Sequence, residues 1–159
     1  MKIKKAGIKD TPIIEKLLSD NNLPYDDIYS KVNCFFIGYK KSEVVGIGGV
    51  EIFKDYGLIR SLAIKKSFRG KGFGKKLCFK LVEYSKANKV KELYLLTITA
   101  KKFFKKVGFD EIKRTLVPSV IQNTTEFKDL CPSTATCMRM IVNYPYLKEV
   151  AYLVRDEGN

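Results

Sequence analysis

Histidine is absent from the 159 residues of this chain. That gap removes Ser-His-Asp and Cys-His nucleophilic catalysis, histidine-ligated zinc and any histidine general base. Whatever chemistry occurs must run on carboxylates, hydroxyls, thiols, lysine, arginine and backbone. Cysteine is scarce: four residues, at positions 34, 78, 131 and 137, with no C-x-x-C pair and no metal-ligand spacing. In a reducing compartment they read as free thiols, and no metal is expected. No apolar stretch reaches the ~18–20 residues that a bilayer crossing needs, so no membrane partner is expected. The opening "MKIKKAGIKD" lacks the apolar middle of a signal peptide, which predicts a cytoplasmic protein.

Acidic residues are the minority, 17 against 30 basic, giving a net charge of +13. A nucleic-acid partner, a polyanionic small ligand and a general basic bias each explain such a balance. The lysines are spread along the whole chain, and neither an RNA-reading motif nor a recognisable DNA-binding module accompanies them. Composition bias with an anionic ligand therefore outweighs a nucleic-acid role. Hydrophobic residues make up 45%, enough for one domain with a buried core.

The pattern along the chain is mixed. "KIKKAGI" reads as a strand, and a helix is predicted from about Thr11, with Pro12 in its first turn. "NNLPYDDIYS" reads as a loop with one helical turn. "CFFIGYK" and "VVGIGGVEIF" read as strands around Lys41-Ser42-Glu43, and "LIRSLAI" as a further strand after the turn "KDYG". Residues from about Lys71 to Asn88 show helical spacing through Phe73, Leu77 and Leu81. "LYLLT" is an apolar strand, "AKKFFKK" a short helix and "FDEIKR" a strand. Helix is expected after Pro118, and "ATCMRMIV" as the last strand. Early hairpins followed by a β-loop-α-β unit predict an α+β domain with a mostly antiparallel sheet.

The stretch "SLAIKKSFRGKGFGKKL", residues 61 to 77, places glycines and cations between a strand and a helix. Glycines allow a tight turn and bring amides close to a ligand. A helix N-terminus adds unpaired N–H donors and about half a positive charge. Arg69, Lys71, Lys75 and Lys76 can neutralise phosphates at the rim. The physical reading is a pyrophosphate cradle; the plain alternative is a surface turn with solvated lysines. The spacing fits neither G-x-x-x-x-G-K-[ST] nor G-x-G-x-x-G.

It does fit R-x-x-G-x-G, from Arg69 through Gly72 to Gly74, and so resembles the acyl-CoA signature of the GNAT superfamily of N-acetyltransferases. "LIRSLAI" before it resembles the fourth strand of that family, which is bulged and lends backbone groups to the pantetheine arm. "LYLLTITAKKFFKKVGF" after it resembles the fifth strand, the next helix and the "GF" turn. The resemblance implies a GNAT fold over residues 1–142, a central mixed, mostly antiparallel sheet with helices on both faces. It also implies acetyl-CoA as co-substrate, held by Leu62, Ala63, Ile64, Arg69, Gly70, Lys71, Gly72, Phe73, Gly74 and Lys75. Backbone N–H groups near Ala63 and Ile64 would polarise the acetyl carbonyl.

More narrowly, these segments resemble the amino-acid N-acetyltransferase branch. The later "LVPSVIQNTTEFKDLCPSTATCM" resembles the arsenic-resistance N-acetyltransferases. The acceptor so implied is a small-molecule α-amine, glutamate-like or an arsenical analogue. Two positions depart from the family pattern: Thr97 stands where Asn is commonest, and Phe104 where a Tyr often protonates the departing CoA thiolate. An α-amine, with a pKa of about 7.7–8.0, is roughly a quarter or more neutral at pH 7.5, whereas a lysine amine is only about 0.1% neutral. A thiol leaving group with pKa near ~8.5 departs without a dedicated acid. Transfer to an α-amine thus survives the loss of the tyrosine.

Glu51 and Arg60 are the polar residues to watch. A turn from Lys54 to Gly57 would set 51 opposite 60, within salt-bridge reach. They form either a structural ion pair or a working one, with Glu51 as base through a water and Arg60 on the substrate carboxylate. Ser61 is a candidate for the substrate side and Thr97 for the catalytic side. Tyr94, Phe103, Phe104 and Phe109 read as packing, Cys131 as structural rather than as an arsenic ligand, and Arg139 as a residue able to face the acceptor. A peptide or protein amine is the alternative acceptor, and a non-catalytic CoA-binding or nucleic-acid-binding module the alternative class. Residues 143–159, with "YPYLKEVAYLV", are expected to pack on this domain or on a partner, and many relatives of the fold pair as homodimers.

Overall fold

Residues 35 to 64 are rich in valine, isoleucine and phenylalanine and are interrupted by the polar pairs Lys41-Ser42 and Lys54-Asp55. The structure is a computed structural model and describes residues 1–130 and 132–142. That stretch forms β2 (Phe35–Lys40), β3 (Glu43–Phe53) and β4 (Tyr56–Ile64), with Lys41 and Lys54 at positive φ in the turns. With β1 (Lys2–Lys5), β5 (Glu92–Thr97), β6 (Asp110–Glu111) and β7 (Thr136–Ile141), they build a seven-stranded sheet of order β1-β2-β3-β4-β5-β7-β6. β4 and β5 run parallel; β1 with β2, β2 with β3, β5 with β7 and β6 with β7 are antiparallel. A parallel neighbour requires a crossover, which α3 (Phe73–Ala87) supplies. The sheet is mixed and mostly antiparallel, as the sequence implied.

The described residues divide into two compact units, 1–50 with 61–81 and 51–60 with those from 82 on. In the first, α1 (Thr11–Asp20) starts where Asp10 Oδ2 accepts from the Gly7 amide at 2.8 Å and Thr11 Oγ1 donates to Ile8 O at 2.8 Å. Its buried Ile14, Leu17 and Leu18 pack with Ile28 of α2 (Ile28–Lys31) and with Phe35, Ile37, Ile47 and Ala63. Side chains alternate across a strand, so the opposite face carries Gly38, Gly46 and Gly48. There a Cβ on Gly46 would stand 3.1 Å from Leu77 Cδ1, and one on Gly48 would stand 3.0 Å from Leu81 Cδ1. "GIGG" is therefore what lets α3 lie close on the strands, and α1 and α3 cover opposite faces.

The second unit packs Leu58, Tyr94, Val117, Ile121, Phe127 and Cys137 into one core, with Phe53 and Tyr56 at its edge. The strand expected at "FDEIKR" shrinks to Asp110–Glu111. Arg114 is drawn elsewhere: its guanidinium donates to Pro132 O at 3.2 Å and Phe127 O at 3.4 Å and lies over the Phe127 ring. The helix expected after Pro118 breaks into α5 (Ser119–Gln122) and a π-helical turn, Glu126–Leu130. Thr124 marks the break by donating to Ile121 O at 2.7 Å. Between β5 and β6 lies α4 (Lys101–Val107), closed by Gly108 at φ 113°. Among the described residues no helix is long and apolar enough to cross a membrane. The expected extension 143–159 and Cys131 lie outside the described residues.

Candidate active site

In the first unit, the final part of β4 opens with a residue in an uncommon conformation. Ser61 has φ 57°, left-handed for a non-glycine in mid-strand, and so breaks the regular ladder there. Ala63 beyond it is buried, while Leu62 and Ile64 are half-buried. A 3-10 turn, Lys66–Phe68, leads into the glycine loop, where Gly70 (φ 74°) and Gly72 (φ 80°) use the freedom that only glycine has cheaply. α3 then begins at Phe73, and Lys76 N donates to Gly72 O at 3.2 Å. The amides of Phe73, Gly74 and Lys75 thus precede the first intrahelical bond, the arrangement that receives an anion.

The cations around this loop divide their work. Arg69, expected at the rim, donates from Nε to Ile64 O at 3.0 Å and from Nη2 to Asn21 Oδ1. It ties the end of β4 to the C-terminus of α1. Lys71 Nζ donates to Ser67 O at 3.3 Å and lies 5.8 Å from the Phe68 ring centre. Lys40 and Lys76 each lie 6.0 Å from the centre of the Phe73 ring. Lys75 is half-buried at the helix start. Positive charge is thus concentrated at the end of α3 where the backbone also carries it.

In the second unit the structure brings Glu51 and Arg60 together. β4 begins at Tyr56, so the turn is two residues, Lys54 and Asp55, shorter than the expected Lys54 to Gly57. A slip of two positions keeps each side chain on its face, so the pair survives although the facing partners differ. Arg60 Nη1 lies 3.7 Å from Glu51 Oε2. A third member joins: Arg60 Nη2 lies 3.4 Å from Glu126 Oε2, on the π-helical turn. Residue exposures are 4% for Glu51, 2% for Arg60 and 6% for Glu126, so all three charges are withdrawn from water. A buried guanidinium without a partner would cost several kcal/mol, on the order of 3–5, which these carboxylates offset.

The sequence did not single out Glu126. It stands in "TTEFKDL", where nothing local separates a buried glutamate from a solvated one. Only the packing of Ile121 and Phe127 on the strands turns it inward.

Thr97 is buried at the end of β5, and its Oγ1 accepts from the Ala100 amide at 3.0 Å. It therefore shapes the entry to α4, and among the described residues its own O–H proton is not given. Phe104 is buried in T-shaped contact with Phe103 (5.0 Å between ring centres) and Phe109 (5.8 Å). Tyr94 donates to Glu92 Oε2 at 2.5 Å; burial, then Glu92, pushes its phenol well above its ordinary value, so it keeps its proton. Cys137 is in the core, where burial pushes its thiol up to about 11. Arg139 pairs with Tyr94 on β5 and Asp110 on β6. Among the described residues no group of three His, Cys, Asp or Glu could hold a metal ion.

Residues 10–109 match the acetyltransferase (GNAT) family, and the chain belongs to that family. It is 30% identical over 114 residues to an uncharacterised N-acetyltransferase of Chlorobaculum tepidum, covering 70% of each chain. It is 25% identical over 158 residues to an amino-acid acetyltransferase of Mycobacterium tuberculosis, covering 92% of this chain and 86% of that one. Among solved structures, N-acetylglutamate synthase of Neisseria gonorrhoeae in complex with coenzyme A and L-arginine shares the fold. There the TM-score is 0.78 at 19% identity, over 90% of this chain and 33% of that chain. The protein is an acetyl-CoA-dependent acetyltransferase of the GNAT type.

Proposed function

We propose that this enzyme transfers the acetyl group of acetyl-CoA directly to the α-amine of a small amino acid. The buried Glu51–Arg60 pair carries the reading, because it sets a carboxylate and a fork-shaped cation side by side. Arg60 meets the acceptor's carboxylate, for which a planar guanidinium is suited. Glu51 takes the amine proton through a water. The neutral nitrogen attacks the thioester carbon and the C–N bond forms; the nitrogen then gives its surplus proton to solvent water as the C–S bond breaks, and the departing thiolate takes a proton from solvent. Backbone N–H groups at Ala63 and Ile64 polarise the carbonyl, and Ser61 serves the substrate side. Leu62, Arg69 and residues 70–75 serve the co-substrate, with the amides at the start of α3 taking its pyrophosphate. Thr97 orders the end of β5 and offers its hydroxyl to water.

The distant likeness to an amino-acid acetyltransferase supports an amino-acid acceptor. Glutamate and its arsenical analogue are the acids to try first. The test is CoA release from acetyl-CoA with a panel of free amino acids, including glutamate and its phosphinate and arsinate analogues. Turnover of one such acid supports the assignment. Turnover of acidic peptides alone, which the +13 charge would favour, replaces it with a peptide acceptor.

A further inference from the structure

Arg60 turns its two terminal nitrogens toward two different glutamates. Nη1 lies 3.7 Å from Glu51 Oε2 and Nη2 lies 3.4 Å from Glu126 Oε2, with all three side chains buried. The formal charges of the trio sum to −1 before any substrate arrives. If Arg60 receives an acceptor carboxylate, three negative groups crowd one guanidinium where water screens little. Like charges at that range exclude one another. The acceptor therefore reaches the fork only if one glutamate gives way.

The two glutamates stand on different kinds of element. Glu51 is in the eleven-residue strand β3, inside the sheet between β2 and β4. Glu126 opens a five-residue π-helical turn, a rare element that recurs at functional sites. The flanks of that turn are fastened independently of the glutamate. Thr124 Oγ1 donates to Ile121 O at 2.7 Å, and Lys128 N donates to Thr124 O at 3.0 Å. Arg114 donates to Phe127 O at 3.4 Å and Pro132 O at 3.2 Å, and its guanidinium lies 5.3 Å from the Phe127 ring centre. A rotation of the Glu126 side chain leaves these bonds in place.

We propose that Glu126 is an exchangeable counter-ion: it occupies one side of Arg60 in the free enzyme, and the carboxylate of the acceptor displaces it. This inference rests on the reading of Arg60 as the acceptor's contact. It makes Glu126 a specificity-determining residue. An amine with a carboxylate can replace it on the guanidinium, and an amine without one leaves the internal pair closed. The exchange also lowers the apparent affinity for every acid, since only the opened fraction binds.

The experiment measures binding of glutarate, which has two carboxylates and no amine to acetylate, to the full chain in the presence of CoA. Glu126→Gln removes the competing charge at nearly constant size, and the Kd for glutarate is expected to fall roughly five- to tenfold. Glu126→Asp draws the charge back by one methylene and is expected to fall between the two; it serves if the glutamine variant folds poorly. Glutarate binding equal to or weaker than that of the unaltered enzyme in both variants overturns the exchange. The amino-acid panel tests the acceptor separately. Tighter glutarate without turnover of any free acid would retain the counter-ion and discard the substrate assignment.

Discussion

Gly46 faces the Ala63 carbonyl so closely that a Cβ placed on it would stand 2.6 Å from that oxygen, and 2.6 Å from Ile64 Cδ1. The oxygen belongs to backbone and cannot swing aside. Gly46→Ala therefore pushes β4 away at the residues expected to hold the acetyl group, or displaces β3. Overpacking of this kind costs about 1–3 kcal/mol. Urea unfolding should register that loss, and KM for acetyl-CoA should rise with it; an unchanged midpoint and KM would refute the close approach.

Arg60 is bound to two carboxylates, so its removal has two separable effects. Arg60→Ala leaves Glu51 and Glu126 buried without their cation, and stability should drop by about 3–5 kcal/mol. Arg60→Lys keeps a charge and loses the planar fork. Its fold should be largely retained while kcat/KM for the acid acceptor falls about tenfold to a hundredfold, roughly 1.4–2.7 kcal/mol. A lysine variant with full kcat/KM would leave the residue a structural one.

Thr97 Oγ1 accepts from the Ala100 amide at 3.0 Å, next to the start of α4. Losing a side-chain-to-backbone hydrogen bond of this kind costs about 1 kcal/mol. Thr97→Ser should keep both stability and rate, whereas Thr97→Ala should lose stability by that amount. A fall in kcat for the alanine variant beyond about threefold, at a temperature where it is fully folded, would assign the hydroxyl to catalysis as well.

Phe104→Tyr restores the hydroxyl that the commonest family pattern has here. A thiol with pKa near ~8.5 leaves without an acid at neutral pH, so kcat should change by less than about threefold. A rise of tenfold or more in steady-state turnover would mean that protonation of the leaving group limits this enzyme.

Two buried thiols set a pH dependence. Burial pushes Cys78 from 9.0 up to about 12 and Cys137 from 9.0 up to about 11. A raised acid pKa means that the native state holds its proton longer than the unfolded chain does. The stability they contribute is complete below about pH 9 and is lost as pH climbs toward 11 and 12. Denaturation midpoints should fall over that window, and Cys78→Ala should make the fall shallower. An identical slope in the variant would remove Cys78 from the account.

The legible part of this protein was the part written in local spacing. R-x-x-G-x-G needs no distant residue to mean a turn with positive φ at Gly70 and Gly72, followed by a helix start. The hairpins and α3 followed from alternation and 3.6-residue spacing in the same way. The face shared by Glu51 and Arg60 was legible too, because an error of two residues in the turn leaves parity intact.

What the spacing left open was decided by contacts between residues far apart in the chain. Arg69 reads locally as a phosphate ligand, yet Asn21, 48 positions away, takes one arm of it. "FDEIKR" has strand composition, yet Arg114 leaves the ladder for Phe127 and Pro132. Glu126 reads as a solvated glutamate until the packing of α5 and the π-helical turn sets it against Arg60. The sequence by itself determined the family, the glycine loop that leads into α3 and the mixed, mostly antiparallel sheet. Only the tertiary structure decided which charges are buried and with whom, because a charge leaves water only where the whole fold provides its partner.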